Sequence, residues 1–376
     1  MAFDNVVVEI GGDEVDGLYD NLVRLEVELD DQLAGMFRLT LGLLLSPEGD
    51  WPYLDDERFA IWQTATITAG VEDDSRVLID GFITHVRPEF GDGLDQCRLE
   101  VWGMDASVLM DRVDKLKAWP NYKDSDIAAE VFETYGITPD VTSTEIVHDE
   151  EQSTIVQRET DIQFLNRLAL RNGFECFVDA DGGHFRPPAV DDTPQPVLAV
   201  QFGDDANVNR FALEVNALAQ TTFAMSQVDH ISGEVHDVTV DSARQTALGS
   251  ATADTFLAPG MDPPLVYIGR SVTTGDREMT ELCQGLFDRE EWFVTGEGEV
   301  SANKYGGVLV PRSTVTIKGL GETHSGVYYV TNVTHTFLPD GYTQTFGVKR
   351  NALRPNGDED FSADGGGLLA GLGGLL

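Results

Sequence analysis

Apolar and polar residues tend to alternate along several segments near both ends of this chain. In the N-terminal part the alternation runs through ATITAG (65–70), IDGFITHVRPEF (79–90) and CRLEVWGMDA (97–106). The C-terminal part shows it again in TVTIKG (314–319), HSGVYYVTNVTHTF (324–337) and TQTFGVKRNA (343–352). A period of two is typical of antiparallel strands with one buried face. The pattern therefore predicts three strands in each part.

The two sets of strands follow the same plan, which indicates an internal duplication. In each set the first strand ends in a glycine, a second glycine opens the next strand, and that strand ends in an aromatic residue. The matching pairs are Gly70 and Gly319, Gly81 and Gly326, and Phe90 and Phe337. Val101 and Val348 each lie eleven residues after the phenylalanine. Three strands in one order with matching turn glycines rarely recur by chance, so we interpret them as a repeat.

Each repeat is expected to gather further strands into a small barrel. LVRLEVEL (22–29) and MFRLTLGLLL (36–45) would extend the first, and FALEV (211–215) and TTFAM (221–225) would extend the second. The sequence thus predicts a mainly β, α+β fold with two similar tube-like antiparallel β-barrels that bracket helix-containing inserts. The first barrel would comprise residues 1–112, and the second residues 197–225 together with 292–353.

Helical periodicity appears between the barrels, in residues 113–196. DSDIAAEVFETYGI (124–137) predicts one helix, with Asp124 or Ser125 as its N-cap. A second helix is predicted to begin near Asp161, with Thr160 and Gln163 forming a capping box, and to end at Gly173. Its buried face would consist of Phe164, Leu165, Leu168 and Ala169.

A second insert is predicted over residues 226–291. Its helix, DREMTELCQGLFDREEWF (276–293), has an apolar stripe at helical spacing made of Met279, Leu282, Cys283, Leu286 and Phe287. Cys283 is therefore expected to pack in a core. Cys97 and Cys176 are distant in sequence, so we expect all three cysteines to be reduced and buried. Residues 354–376 form a glycine- and leucine-rich tail that is expected to be flexible.

The formal net charge of −40 at pH 7 changes the picture of the surface. Lysine is scarce, yet 41% of the residues are hydrophobic, which is enough for folded cores. Such an acidic surface repels itself and is tolerated where salt screens it, so the composition resembles that of haloarchaeal proteins. An acidic mesophilic protein is the alternative. No basic stripe is available for phosphate contacts, which argues against a nucleic-acid partner.

The sequence shows no recognisable signal peptide and no apolar run of about 20 residues. We therefore expect no membrane insertion and assembly in the cytoplasm.

Candidate chemistry is sparse. Asp229, His230, Glu234 and His236 are the best candidates for a zinc site, but the helical HExxH arrangement is absent, so we expect solvated loop residues. Neither a Gly-x-Ser-x-Gly motif nor a convincing phosphate-binding loop is present. His85 and His335 fall near corresponding places in the repeats, which favours a strand role over catalysis. We expect no catalytic residue, cofactor or metal.

Two segments resemble a known family. RETDIQFLNRLALRNGFECFVD (158–179) is similar to the hub segment of VgrG-type and phage late-control-protein-D-type proteins, and GVYYVTNVTHTFLPDGYTQTF (326–346) with the following RNA (350–352) resembles their closing strands. The resemblance extends from about Asn21 to Leu353. It implies a homotrimer in which two barrels per chain form a six-membered ring. Such a baseplate hub adapts the six-fold inner tube of a contractile particle to a three-fold spike.

The resemblance also implies partners: an inner tube protein, a spike protein and other baseplate components. The chain stops soon after Leu353, from which we expect a separate spike protein. Residues 364–376 are expected either to dock on that spike or on the trimer axis, or to remain flexible. The candidate interface residues are Gly81, His85, Phe90, Gly326, His335, Phe337, Leu368 and Leu369. Two alternatives stay open: a hub-derived hydrolytic or metal-dependent enzyme, and a stand-alone halophilic β binding module. The sequence does not separate a virus tail from an injection particle.

Overall fold

A computed structural model describes residues 3, 5–15, 17–71, 74–93, 96–151, 153–218, 222–253, 264–269 and 271–361 of the chain. Strands dominate, and the three long helices of the described residues lie in the two inserts. The mainly β, α+β fold class predicted from the sequence is confirmed.

The first β unit is formed by residues near the N-terminus. Its elements are β1 (Val6–Ile10), β2 (Asp13–Glu14), α1 (Leu18–Asn21), β3 (Leu22–Asp30), β4 (Met36–Gly42), β5 (Thr64–Val71), β6 (Asp74–Glu89) and β7 (Arg98–Asp105). The predicted alternation is visible in β5, where every second side chain is buried.

The first insert follows directly. It contains a 3-10 turn (Ala106–Asp111), β8 (Lys117–Trp119), α2 (Asp124–Thr134), β9 (Pro139–Val141), β10 (Ile155–Gln157), α3 (Asp161–Asn172), β11 (Glu175–Val178) and β12 (Gly183–Arg186). Helix α3 begins at Asp161 and ends at Gly173, which has a φ of 66°. Both limits and the four buried residues agree with the sequence prediction.

The second β unit surrounds the second insert in sequence. It begins with β13 (Gln195–Ala199) and β14 (Val208–Val215). The insert contains β15 (Thr222–Val228), β16 (Val235–Val240), β17 (Ala251–Thr252), β18 (Leu265–Ile268) and α4 (Asp276–Glu290). The unit then resumes with β19 (Val294–Ser301), α5 (Ala302–Tyr305), β20 (Thr314–Lys318), α6 (Gly321–His324), β21 (Gly326–Leu338), β22 (Gly341–Arg350) and β23 (Ala352–Leu353).

The two β units share one strand order. Five strands of the first unit, β3 to β7, lie in the spatial order β3-β4-β7-β6-β5. Five strands of the second lie in the order β14-β19-β22-β21-β20. Numbered along the chain, both orders read first, second, fifth, fourth, third, so the two units have the same topology.

The units are not separate sheets. Strand β21 of the second unit pairs antiparallel with β3 of the first, and a 13-stranded sheet runs through both. The second unit also contributes side chains to the hydrophobic core of the first. These residues are Ala302, Val308, Phe337 and Tyr342. The domain limits drawn from the sequence therefore remain a prediction.

Four buried clusters hold the described residues together. One belongs to each β unit, a third contains α2 and α3 of the first insert, and a fourth lies between α4 and the sheet of β15 and β16. Met279, Leu282, Cys283 and Phe287 are buried in the fourth cluster, as their spacing predicts. Cys97, Cys176 and Cys283 are buried and free.

Three local expectations are wrong. The described part of the segment TTFAM, residues 222–225, does not extend the second barrel: it lies in β15, which pairs with β16 and β18 of the insert, and β19 takes the second position of the unit. The N-cap of α2 is Lys123, so Asp124 and Ser125 already lie in the helix. The capping box of α3 does not form, because the side chains of Thr160 and Gln163 donate to Asp111 Oδ1 at 2.6 and 2.9 Å.

Candidate interface of the duplicated β units

The two long strands β6 and β21 each carry a β-bulge at the same place in their unit. The register of β6 against β7 shifts between Ile83 and His85, and that of β21 against β22 shifts between Val330 and Asn332. The extra residue is a threonine in both strands, at positions 84 and 331. A bulge adds one residue and bends the strand, so it divides each strand into two halves.

The two halves of β21 have different neighbours. The first half pairs with β20 over Gly326–Tyr329, and the second half pairs with β3 over Asn332–Phe337. We call the contact between residues 332–337 of β21 and residues 25–30 of β3 the internal junction.

Charged and polar groups fasten one end of the internal junction. Asp31 N donates to Thr331 O at 2.7 Å, and the guanidinium of Arg312 donates to Asp30 O. Lys349 Nζ donates to Asp31 Oδ2 at 2.7 Å. These contacts are largely shielded from water, so salt screens them less than exposed ion pairs.

Apolar groups and one neutral histidine fill the other end. Val333, His335 and Phe337 are buried. Burial lowers the pKa of His335 to about 3, so its ring is neutral at ordinary pH. His335 Nδ1 lies 2.7 Å from the hydroxyl of Tyr342, and the Tyr342 ring stacks on Phe337. His335 is thus a packing residue of the junction.

The corresponding half of β6 is open. Strand β5 pairs with β6 only up to Phe82, and among the described strands residues 85–89 pair with β7 alone. Phe90 is 58% exposed, whereas Phe337 at the corresponding place is 1% exposed. Strand β14, which corresponds to β3, pairs within the described chain with β19 alone. We call residues 85–90 and β14 the open edges.

The predicted interface residues therefore separate into groups. His335 and Phe337 lie in the internal junction, and His85 and Phe90 lie on an open edge. By the bulge positions His85 corresponds to Asn332, which lies three residues before His335, so the two histidines occupy nearby but not equivalent places in the repeats. The first hairpin is also two residues longer, since Val101 pairs with Val86 and its counterpart Phe346 pairs with Val333. Leu368 and Leu369 lie outside the described residues.

Gly81 and Gly326 are glycines for packing reasons. A Cβ atom on Gly81 would lie 1.9 Å from Met104 O. Gly326 has a φ of 143°, and a Cβ there would lie 2.4 Å from Arg350 Nη2. Neither position is an exposed contact point.

Arg350 and Asn351, from the RNA segment, clamp three parts of the chain together. Arg350 is fully buried, and its Nε and Nη2 donate to Leu248 O at 2.9 and 2.7 Å. Nη1 donates to Ser325 O at 3.2 Å and Nη2 to Arg354 O at 3.1 Å. Asn351 Oδ1 accepts from Leu248 N at 2.9 Å. The resemblance singled out these residues without indicating this structural role.

A buried charge network joins the two inserts. His148 Nε2 lies 2.7 Å from Asp124 Oδ1, its Nδ1 lies 3.4 Å from Glu278 Oε1, and Arg171 forms an ion pair with the same carboxylate. Burial acts to lower the pKa of His148, but the two carboxylates outweigh it and raise the pKa to about 9. Burial acts to raise the pKa of Glu278, yet His148, Arg171 and Thr274 lower it to about 2. At neutral pH these groups are charged and mutually neutralised.

The zinc candidate is an ordinary hairpin turn. Asp229 Oδ1 accepts from the backbone N–H groups of Ile231 and Ser232, and His236 Nδ1 lies 2.7 Å from Asp276 Oδ1. No group of three or more potential metal ligands converges among the residues that the structure describes. In the same part of the chain, no helix is long and apolar enough to cross a membrane.

Comparison with solved structures shows what this architecture is similar to. A 43 kDa tail protein of prophage MuSo2 from Shewanella oneidensis aligns with a TM-score of 0.66 at 15% identity, over 93% of this chain and 99% of the other. A tail protein from Neisseria meningitidis aligns with a TM-score of 0.64 at 14% identity, over 93% and 97%. A chain of the Francisella PdpA-VgrG complex gives 0.52 at 11% identity, over 95% of this chain and 54% of that one. The chain has the fold of these proteins.

Comparison of the sequence with curated proteins and with family models gives one match. No curated protein matches the sequence significantly. The family model described as the Alg8 N-terminal domain matches residues 6–338, so the chain belongs to that family.

Proposed function

We propose that the chain is a structural hub of a contractile, phage-like particle, where a homotrimer adapts a six-fold inner tube to a three-fold spike. The single observation that carries the proposal is the shared strand order of the two β units. Three chains that each hold two equivalent units present six similar surfaces around one three-fold axis. Such a ring matches a six-fold tube on one side and a three-fold spike on the other.

The fold similarity supports the same role. The similar proteins from Shewanella and Neisseria are tail proteins, and the Francisella chain belongs to a complex that contains VgrG. We propose an inner tube protein, a separate spike protein and other baseplate components as partners. The particle is a virus tail or an injection particle of the late-control-protein-D and VgrG type, assembled in the cytoplasm of a halophilic host.

We further propose that the role is structural and not catalytic. Three groups with strongly shifted pKa values make contacts that hold the fold together. His148 and Glu278 neutralise each other between the inserts, and His335 is packed beside Tyr342 in the internal junction. Their structural contacts account for these three shifts without a catalytic task.

Light scattering after size-exclusion chromatography in molar salt tests the proposal. The expected mass is three times the 41.1 kDa of one chain. A monomer over a wide range of protein concentration would overturn the hub role and favour a stand-alone binding module. A monomer that also holds stoichiometric zinc would favour the enzyme. Electron microscopy of sheathed particles from the native host, with three copies sought per particle, provides the second test.

A further inference from the structure

The internal junction fixes a register that can be transferred to the open edges. In the internal junction Val333 pairs with Leu29, Thr334 with Glu28, His335 with Val27 and Phe337 with Leu25. The two bulges align Thr84 with Thr331. Val86, Arg87, Pro88 and Phe90 of β6 therefore correspond to Val333, Thr334, His335 and Phe337.

The correspondence between β3 and β14 follows from the strands beside them. Trp102 and Gly347 each pair with the residue just after the bulge. Trp102 pairs with Arg38, which pairs with Glu26. Gly347 pairs with Glu297, which pairs with Ala212. Glu26 thus corresponds to Ala212, and Leu25, Val27, Glu28 and Leu29 correspond to Phe211, Leu213, Glu214 and Val215.

We propose that β14 of one protomer pairs antiparallel with residues 85–90 of β6 in a second copy of this chain, and that this contact closes the ring. The inference rests on the proposed function, to which it adds the contacting residues. The expected pairs are Val86 with Val215, Arg87 with Glu214, Pro88 with Leu213 and Phe90 with Phe211.

The backbone N–H and C=O groups of β14 point in the directions that this pairing requires. Asn216 N donates to Phe293 O at 2.7 Å, so Asn216 points its backbone groups toward β19. Because alternate residues of a strand point to opposite sides, Val215, Leu213 and Phe211 point theirs to the open edge. In the internal junction Asp31 N donates to Thr331 O, so Asp31 points its backbone groups toward β21. Leu29, Val27 and Leu25 alternate with it by two residues and therefore do the same. Pro88 has no N–H, so its pair with Leu213 supplies a single hydrogen bond.

The side chains are complementary in this register. Phe90 is 58% exposed and would meet Phe211, an aromatic pair of the kind that stabilises antiparallel strands. The side chain of Arg87 is 61% exposed beside Glu89 and Glu100, and it would gain Glu214, which is exposed on β14. A residue pair whose backbone groups point away from each other has closely spaced Cβ atoms, which favours this ion pair. In a chain with a net charge of −40, an attractive contact between copies offsets general repulsion.

A second copy is the occupant that the topology favours. Strands β14 and β6 lie near opposite ends of the continuous sheet, with β19, β22, β21, β3, β4 and β7 between them. The two open edges are different surfaces that fit each other, which makes the contact heterologous. A heterologous contact closes into a ring when the rotation between neighbouring copies divides a full turn, and three copies would meet that condition at 120°.

Charge reversal and rescue test the register. Arg87→Glu and Glu214→Arg should each lower the association constant by about 5- to 10-fold per junction at the lowest salt that keeps the chain folded, since each change places like charges opposite one another. The double variant R87E/E214R should restore association. Arg76→Glu is the matched control, because Arg76 has the same charge and lies in the half of β6 that pairs with β5.

Cysteine cross-linking gives an independent measurement. Oxidation of R87C/E214C should produce covalent ladders of up to three chains. R87C alone can link no more than two chains, because the natural cysteines are buried. If the unaltered chain is a trimer but both charge reversals are silent and no cross-link forms, the register is refuted while the hub role stands. If the unaltered chain is a monomer in molar salt, the hub role itself fails.

Discussion

Replacing Arg350 with methionine should destabilise the chain and loosen the clamp between the second β unit and the second insert. Methionine keeps an unbranched apolar stem in a fully buried site but donates no hydrogen bonds. The carbonyl oxygens of Leu248 and Ser325 then lose donors at 2.7 and 3.2 Å, whereas Arg354 O keeps the N–H of Ser250 at 3.0 Å. A buried carbonyl without a partner costs about 1–3 kcal/mol.

The gross loss for the two unpartnered carbonyl groups is about 2–6 kcal/mol and is offset in part. Burial lowers the pKa of Arg350, because the charge itself is costly to bury. Removing that charge recovers part of the loss, so the net loss should be about 1–3 kcal/mol. Urea unfolding in molar salt, followed by near-ultraviolet circular dichroism, measures the loss. Hydrogen exchange should quicken at Ser250, whose N–H donates to Arg354 O at 3.0 Å.

Arg277→Met is the matched control for Arg350→Met. The side chain of Arg277 is 78% exposed, and its ion pair with Glu145 spans 3.3 Å. Its replacement should change stability by less than about 0.5 kcal/mol, because exposed ion pairs contribute little. Equal unfolding midpoints for the two variants, with unchanged exchange at Ser250, would refute the clamp.

Two further predictions concern packing and pH. Gly81→Ala would place a methyl group 1.9 Å from Met104 O and should cost about 2–3 kcal/mol in urea unfolding, whereas Gly341→Ala, with open space around it, should be nearly neutral; equal losses would contradict the packing argument. His148 has its pKa raised from 6.5 to about 9, so the stability it contributes is complete below pH 6.5 and is lost as pH rises toward 9. Glu278 has its pKa lowered from 4.5 to about 2, so its contribution is lost as pH falls from 4.5 toward 2. Thermal unfolding across pH should show both declines, and His148→Gln should flatten the alkaline one; an unchanged alkaline decline would show that His148 is not its source.

Local chemistry made the elements of this fold predictable. The period of two located β5, β6, β7, β20, β21 and β22, and the helical period and Gly173 set the limits of α3. These signals lie within one short segment, so they are readable without knowing the neighbours. The capping box failed because Asp111, about 50 residues earlier, attracts the side chains of Thr160 and Gln163. A distant carboxylate competes with a local cap, and the local sequence contains no sign of it.

Strand neighbours were beyond the reach of sequence reasoning. The pairing of β21 with β3 joins segments about 300 residues apart, and either strand alone is compatible with several edges. TTFAM reads as a strand in both interpretations, and only its partners place it in the insert. The sequence does not reveal the open edges for the same reason, although Phe90 is among the predicted interface residues.

The duplication has a physical consequence for assembly. A single β unit would have two edges with unpaired backbone groups: its first strand, and the half of its long strand that follows the bulge. Proteins usually protect such edges. Two such units in one chain satisfy one pair of edges internally, through β21 and β3, and leave one pair of the same kind unsatisfied. The strand pairing of β21 with β3 therefore shows the geometry that we propose for the contact between β6 and β14 of two copies of the chain. The contacts of Arg312 with Asp30 and of Lys349 with Asp31 are largely shielded from solvent, so salt should weaken them less than exposed ion pairs. A ring built from repeats of this contact would depend on packing and shielded charges, and the acidic surface would then act against contacts outside the ring.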